Sequence, residues 1–208
     1  MHPQHRALSG IAEAFSFTAI VLLDIWLLHW RTPLGDLLPA AFIVWSIVYH
    51  RESLNSLGLS LAQLRPAMRE WWIIFAVLGA AVLAGCFMST RPFYLLFRGS
   101  MYFLWCVVQQ LLLNNLIYRR LRDDLGLSWI TCTVAGALFA VAHAPNPVLV
   151  PATLLWGTAA TRLFETHRSI IALGLLQTLL SALLLWATPL QLNQQFRVGP
   201  GYWHHHFL

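Results

Sequence analysis

The stretches Gln109-Gln110-Leu-Leu-Leu-Asn114 and Phe139-Ala-Val-Ala-His143 place amides and one imidazole inside two strongly apolar segments of the chain. Polar side chains at such a depth in lipid are costly, and they are found where they face one another or a water-filled cavity. These two stretches therefore indicate both the class of the protein and the place where any chemistry should be sought.

The overall composition is that of a membrane protein. Apolar residues make up 58% of the 208 residues, charged residues only 10%, and the mean hydropathy is +0.64. A hydrocarbon core about 30 Å thick needs roughly 20 apolar residues per helix. The predicted spans are 11–30, 34–50, 71–89, 99–118, 128–144, 147–165 and 169–187. We expect one all-α transmembrane domain over 1–208, a polytopic helix bundle of about seven helices, or eight if 188–208 adds a short element that hydropathy does not support.

The arginines predict the orientation, because the chain contains no lysine. Nine of the 13 basic residues fall on the side of the bilayer that also holds the N-terminus. The positive-inside rule then places the N-terminus in the cytoplasm and residues 199–208 on the opposite face, in a protein expected in the bacterial inner membrane. The net charge of +5 is explained by juxtamembrane arginines, so lipid and not nucleic acid is the expected partner.

Metal and cofactor sites are not expected. Cys86, Cys106 and Cys132 have no paired spacing and are predicted to be small buried hydrophobes. His143 is the only well-placed imidazole of the apolar core, and catalytic zinc usually takes three protein ligands. The run His204-His205-His206 is weak evidence for a metal site.

Two further charged groups have local interpretations. Glu165 and His167, at the end of the sixth predicted span, suggest solvated salt bridges with Arg162 or Arg168. Asp24 is the only carboxylate that the sequence places deep in the membrane. It is either a structural hydrogen-bond or ion-pair partner, or a functional carboxylate.

Polar pairs at four-residue spacing recur on three predicted helices. Residues four apart share a helix face, so Gln110 points with Asn114, and Phe139 with His143. Gln177 and Ser181 repeat the spacing on the last span. We expect the three helices to direct these groups at one cavity, provided that the fourth helix continues past the two arginines 119–120 or the fifth starts deeper than residue 128.

This pattern resembles the CPBP family of intramembrane proteases, which includes CAAX prenyl endopeptidases and bacteriocin-processing or Abi proteins. The family pattern is Glu-Glu-x-x-x-Arg, then Phe-x-x-x-His, then His-x-x-x-Asn or Asp on successive helices. The second motif is intact as Phe139-x-x-x-His143. The first is taken as Gln109-Gln110-x-x-x-Asn114 and the third as Gln177-x-x-x-Ser181. The protease-like core spans about 100–187.

The resemblance implies a hydrolase in which a glutamate accepts a proton from water while histidines and a polar side chain orient the water and stabilise the oxyanion. Glutamine is not a base near neutral pH, so Gln109 and Gln110 can position a water but cannot deprotonate it. The imidazole of His143 can take over as the base. Asn146 or Gln177 can donate to the oxyanion.

Two hypotheses follow. The first is an endopeptidase that acts on a membrane-associated peptide or protein tail. The second is a noncatalytic relative that serves as a membrane binding or scaffold subunit. A transporter is less favoured, because the spans show neither paired broken helices nor inverted halves. The candidate site residues are Gln109, Gln110, Asn114, His143, Asn146 and Gln177.

Overall fold

The computed structural model describes residues 9–29, 31–32, 37–88 and 92–203, with the backbone alone for 92–98. The described part of the chain is helical and contains no strand. Its α-helices are α1 (Gly10–Leu23), α2 (Leu37–Tyr49), α3 (Leu61–Glu70), α4 (Trp72–Phe87), α5 (Pro92–Leu111), α6 (Arg119–Leu125), α7 (Trp129–Val141), α8 (Leu149–His167), α9 (Ile170–Ala187) and α10 (Leu190–Asn193). Two π-helical segments, Asp24–Leu28 and Leu112–Tyr118, extend α1 and join α5 to α6.

The membrane character of the helices is confirmed, whereas the count of seven or eight spans stays a prediction. Within the described ranges, three helices are long and apolar enough to cross a bilayer, namely Gly10–Leu28, Gly99–Leu125 and Ile170–Ala187. A fourth candidate is the pair α3 and α4, which is bent by 84°. The apolar helices α2 and α7 have 13 residues each, and at 1.5 Å per residue they reach only about 20 Å.

Two close helix contacts bring the polar stretches together. A Cβ on Gly174 of α9 would lie 2.7 Å from Val107 Cγ2 of α5, so these two helices meet at van der Waals distance. Likewise a Cβ on Gly157 of α8 would lie 2.9 Å from Gly136 Cα of α7. Small residues at such points let membrane helices approach closely. Both contacts hold the polar faces of their helices against the same interior.

The continuation of the fourth predicted span satisfies one condition set from the sequence. The π-helical segment runs directly into α6, so the helix passes Arg119 and Arg120 and ends at Leu125. Gly126 then breaks it with a φ of 76°, and the Ser128 side chain caps α7. The helix therefore includes residues 119–125, which lie beyond the end of the predicted span 99–118.

A buried ion cluster lies where α1, α2 and α6 meet. Glu13 is only 2% exposed, and its carboxylate contacts Arg120 Nε at 3.1 Å, His50 Nε2 at 2.8 Å and Ser46 Oγ at 2.5 Å. Arg120, which is 3% exposed, also reaches Glu52 at 3.3 Å. Glu13 is therefore a second buried carboxylate beside Asp24, at the start of the same helix.

Glu52, from the loop after α2, completes this ion cluster. It accepts a hydrogen bond from Arg119 Nη1 at 3.1 Å in addition to its contact with Arg120. Burial by itself would raise the pKa of the Glu52 carboxyl, but the Ser56 hydrogen bond and the two guanidinium groups outweigh it and hold that pKa below its usual value. We call Glu13, Ser46, His50, Glu52, Arg119 and Arg120 the ion cluster.

The other local predictions have mixed outcomes. The three cysteines are free and buried, as expected. The predicted pairing of Glu165 and His167 with nearby arginines is wrong, because Glu165 binds Arg122 at 2.6 Å and His167 binds Glu70 at 2.7 Å. No group of three His, Cys, Asp or Glu side chains suited to a metal occurs in the described ranges. The histidine run 204–206 lies outside the described residues.

Residues 188–203 fold back onto the bundle. The four-residue helix α10 and two 3₁₀ turns make up this segment, which contributes Gln195, Phe196 and Val198 to the wall of a central cavity. The amide of Asn146 holds it through the carbonyls of Asn193 and Arg197 at 2.8 and 3.1 Å. In the described part of the chain, this segment closes a cavity and does not form a long apolar helix.

Candidate functional site

A chain of side-chain amides links α5, the π-helical segment and α9. Asn114 Nδ2 donates to the backbone oxygen and to Oε1 of Gln110, at 3.0 and 2.9 Å. Gln110 Nε2 donates to Gln177 Oε1 at 2.6 Å, and Gln177 Nε2 donates in turn to Gln109 Oε1. Every donation runs in the same direction, so the chain of amides ends at Gln109.

This amide chain is largely shielded from the surroundings. Gln110 and Asn114 are fully buried, and Gln177 is 5% exposed. Gln177 Oε1 accepts a second hydrogen bond from Trp156 Nε1 of α8, at 3.3 Å. Gln177 is thereby held from two helices, and its position fixes that of Gln109. The Nε2 hydrogens of Gln109 meet no acceptor among the described residues.

A cavity of about 1010 Å³ lies next to the end of the amide chain. It is lined by residues of α1, α2, α5, α7, α8, α9 and the C-terminal segment, and most of these residues are apolar. The structure brings Gln109, His143 and Gln177 together on this wall. Gln110 and Asn114 stand behind the wall and reach it through Gln177.

His143 follows the last turn of α7, and its ring is held in one orientation. Its Nδ1 lies 2.8 Å from the backbone oxygen of Phe139, and the two rings meet edge to face with centroids 4.7 Å apart. A carbonyl oxygen can only accept, so Nδ1 must carry the hydrogen of the neutral imidazole. Nε2 then holds the lone pair, which is the form that can act as a base. His143 is 9% exposed and lines the cavity.

Asn146 has a different task from the one expected. Its Oδ1 accepts from the backbone N–H groups of Val148 and Leu149, each at 3.0 Å, and so caps the start of α8. Its Nδ2 donates to the carbonyls of Asn193 and Arg197. Both amide hydrogens are thus engaged, and none is left for an oxyanion. The sequence did not show this, because the acceptors lie about 50 residues further along the chain.

A second placement of the Glu-Glu-x-x-x-Arg pattern was missed. The pattern also fits Asn114-Asn115-x-x-x-Arg119, where the arginine is retained and both glutamates are asparagines. Arg119 Nη1 donates to Asn115 Oδ1 at 2.9 Å, which joins two of the motif positions directly. The retained arginine is the signal in the sequence that could have revealed this placement. In either placement, amides stand where the family pattern has carboxylates.

Comparison with known proteins supports the family assignment. Residues 91–183 match the family described as type II CAAX prenyl endopeptidase Rce1-like. The matched segment contains the amide chain, His143 and the second placement of the first motif. No curated protein and no solved structure matches the chain. Residues 91–183 are thus similar to the Rce1-like family, which confirms the resemblance of this segment to the CPBP family of intramembrane proteases.

Proposed function

We propose that the chain is an intramembrane endopeptidase-like protein of the CAAX protease type that cleaves a membrane-associated peptide or protein tail. The observation that carries this proposal is the geometry of His143. Its Nδ1–H is committed to the carbonyl of Phe139, so the basic Nε2 is left for the cavity. A base in a largely apolar cavity is a requirement of hydrolysis within a membrane.

The reaction that these residues support begins with a water in the cavity. His143 Nε2 takes one proton from the water while the oxygen of that water attacks the carbonyl carbon of the scissile amide. The oxyanion formed accepts a hydrogen bond from Gln109 Nε2, the open end of the amide chain. The C–N bond then breaks, the leaving amine takes the proton from His143, and the carbonyl product is a carboxylic acid.

The cavity supports a large apolar substrate. Its volume of about 1010 Å³ stands at the upper end of the range of about 300–1,000 Å³ typical of ligand pockets. Most of its wall is apolar, and its polar groups include Gln109, His143 and Gln177. A protein tail that partitions into the membrane fits that combination. We also propose that the protein resides in the bacterial inner membrane with its N-terminus in the cytoplasm.

A noncatalytic role as a membrane binding or scaffold subunit is the second candidate, and a specific observation favours it. Amides replace carboxylates in both placements of the first motif, and they are largely satisfied by one another. Removal of a general base typically costs a factor of about 10² to 10⁴ in rate. A cavity that retains its shape but lacks the carboxylates of this motif would bind a tail without cutting it.

The test uses purified full-length protein in lipid nanodiscs. The probes are a C-terminally farnesylated CAAX-type peptide and an unlipidated peptide of the same sequence, with new termini detected by mass spectrometry. We expect the wild type to cleave the farnesylated probe and His143→Ala to lose at least about 100-fold in rate. His167→Ala is the matched control, since His167 pairs with Glu70 and does not line the cavity. Binding of the probe without cleavage by the wild type would establish the noncatalytic role.

A further inference from the structure

A carboxylate from a distant part of the sequence shares the cavity with His143. Asp24 follows the last residue of α1 and is 9% exposed. Among the described residues that line the cavity it is the only Asp or Glu. The amide chain cannot supply a carboxylate, so Asp24 offers a group that the matched segment lacks.

The local backbone explains how Asp24 turns toward the cavity. Residues Asp24–Leu28 form a π-helical segment, and the N–H of His29 donates to the carbonyl of Asp24 at 3.0 Å. Such short π-helical insertions widen one turn and are frequent at functional sites. Asp24, at the start of this segment, and His29, directly after it, both lie on the cavity wall.

Gly199 holds Asp24 and His143 at the same end of the cavity. Its N–H donates to the carbonyl of Ala144 at 2.8 Å, one residue beyond His143. On its other side, a Cβ at Gly199 would lie 2.6 Å from Ile25 Cγ2 and 3.2 Å from the Ile25 carbonyl oxygen, one residue beyond Asp24. Gly199 is therefore inserted between the two segments, and its φ of 56° together with this lack of space favours glycine at this position.

We propose that Asp24 is the carboxylate of the catalytic centre and acts on the same water as His143. Asp24 accepts a hydrogen bond from one hydrogen of the water while the other passes to His143 Nε2. The hydroxide equivalent attacks the scissile carbonyl carbon, and Asp24 stabilises the imidazolium until the leaving amine takes its proton. The inference rests on the proposed endopeptidase function. It assigns the missing carboxylate to the first helix and not to the first family motif.

The test compares Asp24→Asn, Asp24→Glu and Asp123→Asn with the wild type on the farnesylated probe. Asp24→Asn keeps the size and the hydrogen-bonding capacity but removes the charge, so we expect its kcat to fall at least 100-fold. Asp24→Glu should recover part of that loss. The exposed Asp123 is the matched carboxylate-to-amide control, and its variant should be as active as the wild type.

Two readouts distinguish a catalytic from a structural role. The acidic limb of the pH profile, which comes from protonation of His143, should move to lower pH in Asp24→Asn because the carboxylate that stabilises the imidazolium is lost, and the Tm of the two proteins should agree within a few degrees. Full activity of Asp24→Asn beside an inactive His143→Ala would overturn the role of Asp24 and leave the proposed function standing. An Asp24→Asn protein that loses activity only in step with its Tm would also overturn it. If the wild type binds the probe without cleaving it, the proposed function fails, and the catalytic role of Asp24 fails with it.

Discussion

Asn114 and Asn115 are neighbours in the sequence, but their side chains enter two different networks. Asn114 donates to Gln110 within the amide chain, whereas Asn115 accepts from Arg119 and donates to the carbonyl of Leu57. Both lie in the π-helical segment Leu112–Tyr118. The amide chain of the candidate site and the ion cluster are thus joined through one segment of helix. A substitution in either network should therefore disturb the hydrogen bonds of the other.

The two placements of the first family motif can be distinguished by restoring carboxylates. Asn114→Glu with Asn115→Glu recreates the complete pattern ahead of Arg119, and we expect cleavage of the farnesylated probe to rise at least tenfold, with the factor of about 10² to 10⁴ that a well-placed general base contributes as the upper limit. Gln109→Glu with Gln110→Glu should not raise it. Both double variants interrupt the amide chain, at Gln110 or at Asn114, but only the pair at 114 and 115 puts carboxylates beside the retained Arg119.

Mass spectrometry of the cleaved probe, at equal amounts of folded protein, measures both double variants. A larger gain from the pair at 109 and 110 would contradict the placement at Arg119 and favour the first one. The single variant Asn115→Glu serves as the control for a new carboxylate beside Arg119.

The ion cluster should dominate the stability of this side of the bundle. Arg120→Met leaves the buried carboxylate of Glu13 without its guanidinium partner, and the loss of one partner from a buried pair typically costs about 3–5 kcal/mol. Arg122→Met removes a more exposed ion pair with Glu165, which should cost about 0–1 kcal/mol. Unfolding in mixed micelles with increasing SDS measures the free energy of unfolding of both variants. If the two variants lose the same free energy of unfolding, the ion cluster contributes no more to stability than the more exposed pair.

Acid should weaken the protein through Glu52. Because the pKa of Glu52 is lowered in the folded state, its contribution to stability is present above the unfolded pKa and is lost as the pH falls through the folded pKa. The Tm of the wild type should therefore drop between about pH 5 and about pH 3, and Glu52→Gln should drop less over that interval. A Tm curve of Glu52→Gln that parallels the wild type would rule out this origin of the acid sensitivity.

The sequence predicted what repeats within one helix and missed what depends on contacts between distant segments. Four-residue spacing placed His143 and Gln177 on one cavity wall, but the pair Gln110 and Asn114, which it also directed there, stands behind the wall, and the neighbouring Gln109 lines the cavity instead. It could not reveal that both amide hydrogens of Asn146 are donated to carbonyls of the C-terminal segment, or that Glu165 pairs with Arg122 of another helix. Glu13 was missed for a related reason. A carboxylate in the first turn of an apolar helix resembles a solvated headgroup contact until the partner that buries it is known.

Labelling of introduced cysteines tests the predicted orientation. The native cysteines are buried, so an Asp123→Cys variant should give a low background with a membrane-impermeant maleimide. We expect labelling of Asp123→Cys only after the membrane is opened, since the helix end that carries Arg119, Arg120 and Arg122 is predicted to be cytoplasmic. Trp203→Cys should react in intact spheroplasts. Three predicted spans lie between residues 123 and 203. Labelling of both positions from the same side of the membrane would contradict this odd number of crossings.

The position of Gly199 gives the sharpest test of the geometry at the catalytic centre. Gly199→Ala forces a methyl group against Ile25 and should move the segment that carries Asp24 away from Ala144 and His143. A misplacement of about 1 Å can cost about 100-fold in rate, so we expect kcat to fall 10- to 100-fold with a smaller change in KM. Gly126→Ala is a matched control, because Gly126 also has a positive φ, of 76°, but nothing lies within 4 Å of its added Cβ. Both substitutions carry backbone strain, and only the one at Gly199 displaces the neighbours of the site. If the two variants lose kcat equally, strain alone accounts for the effect, and Gly199 does not position Asp24 against His143.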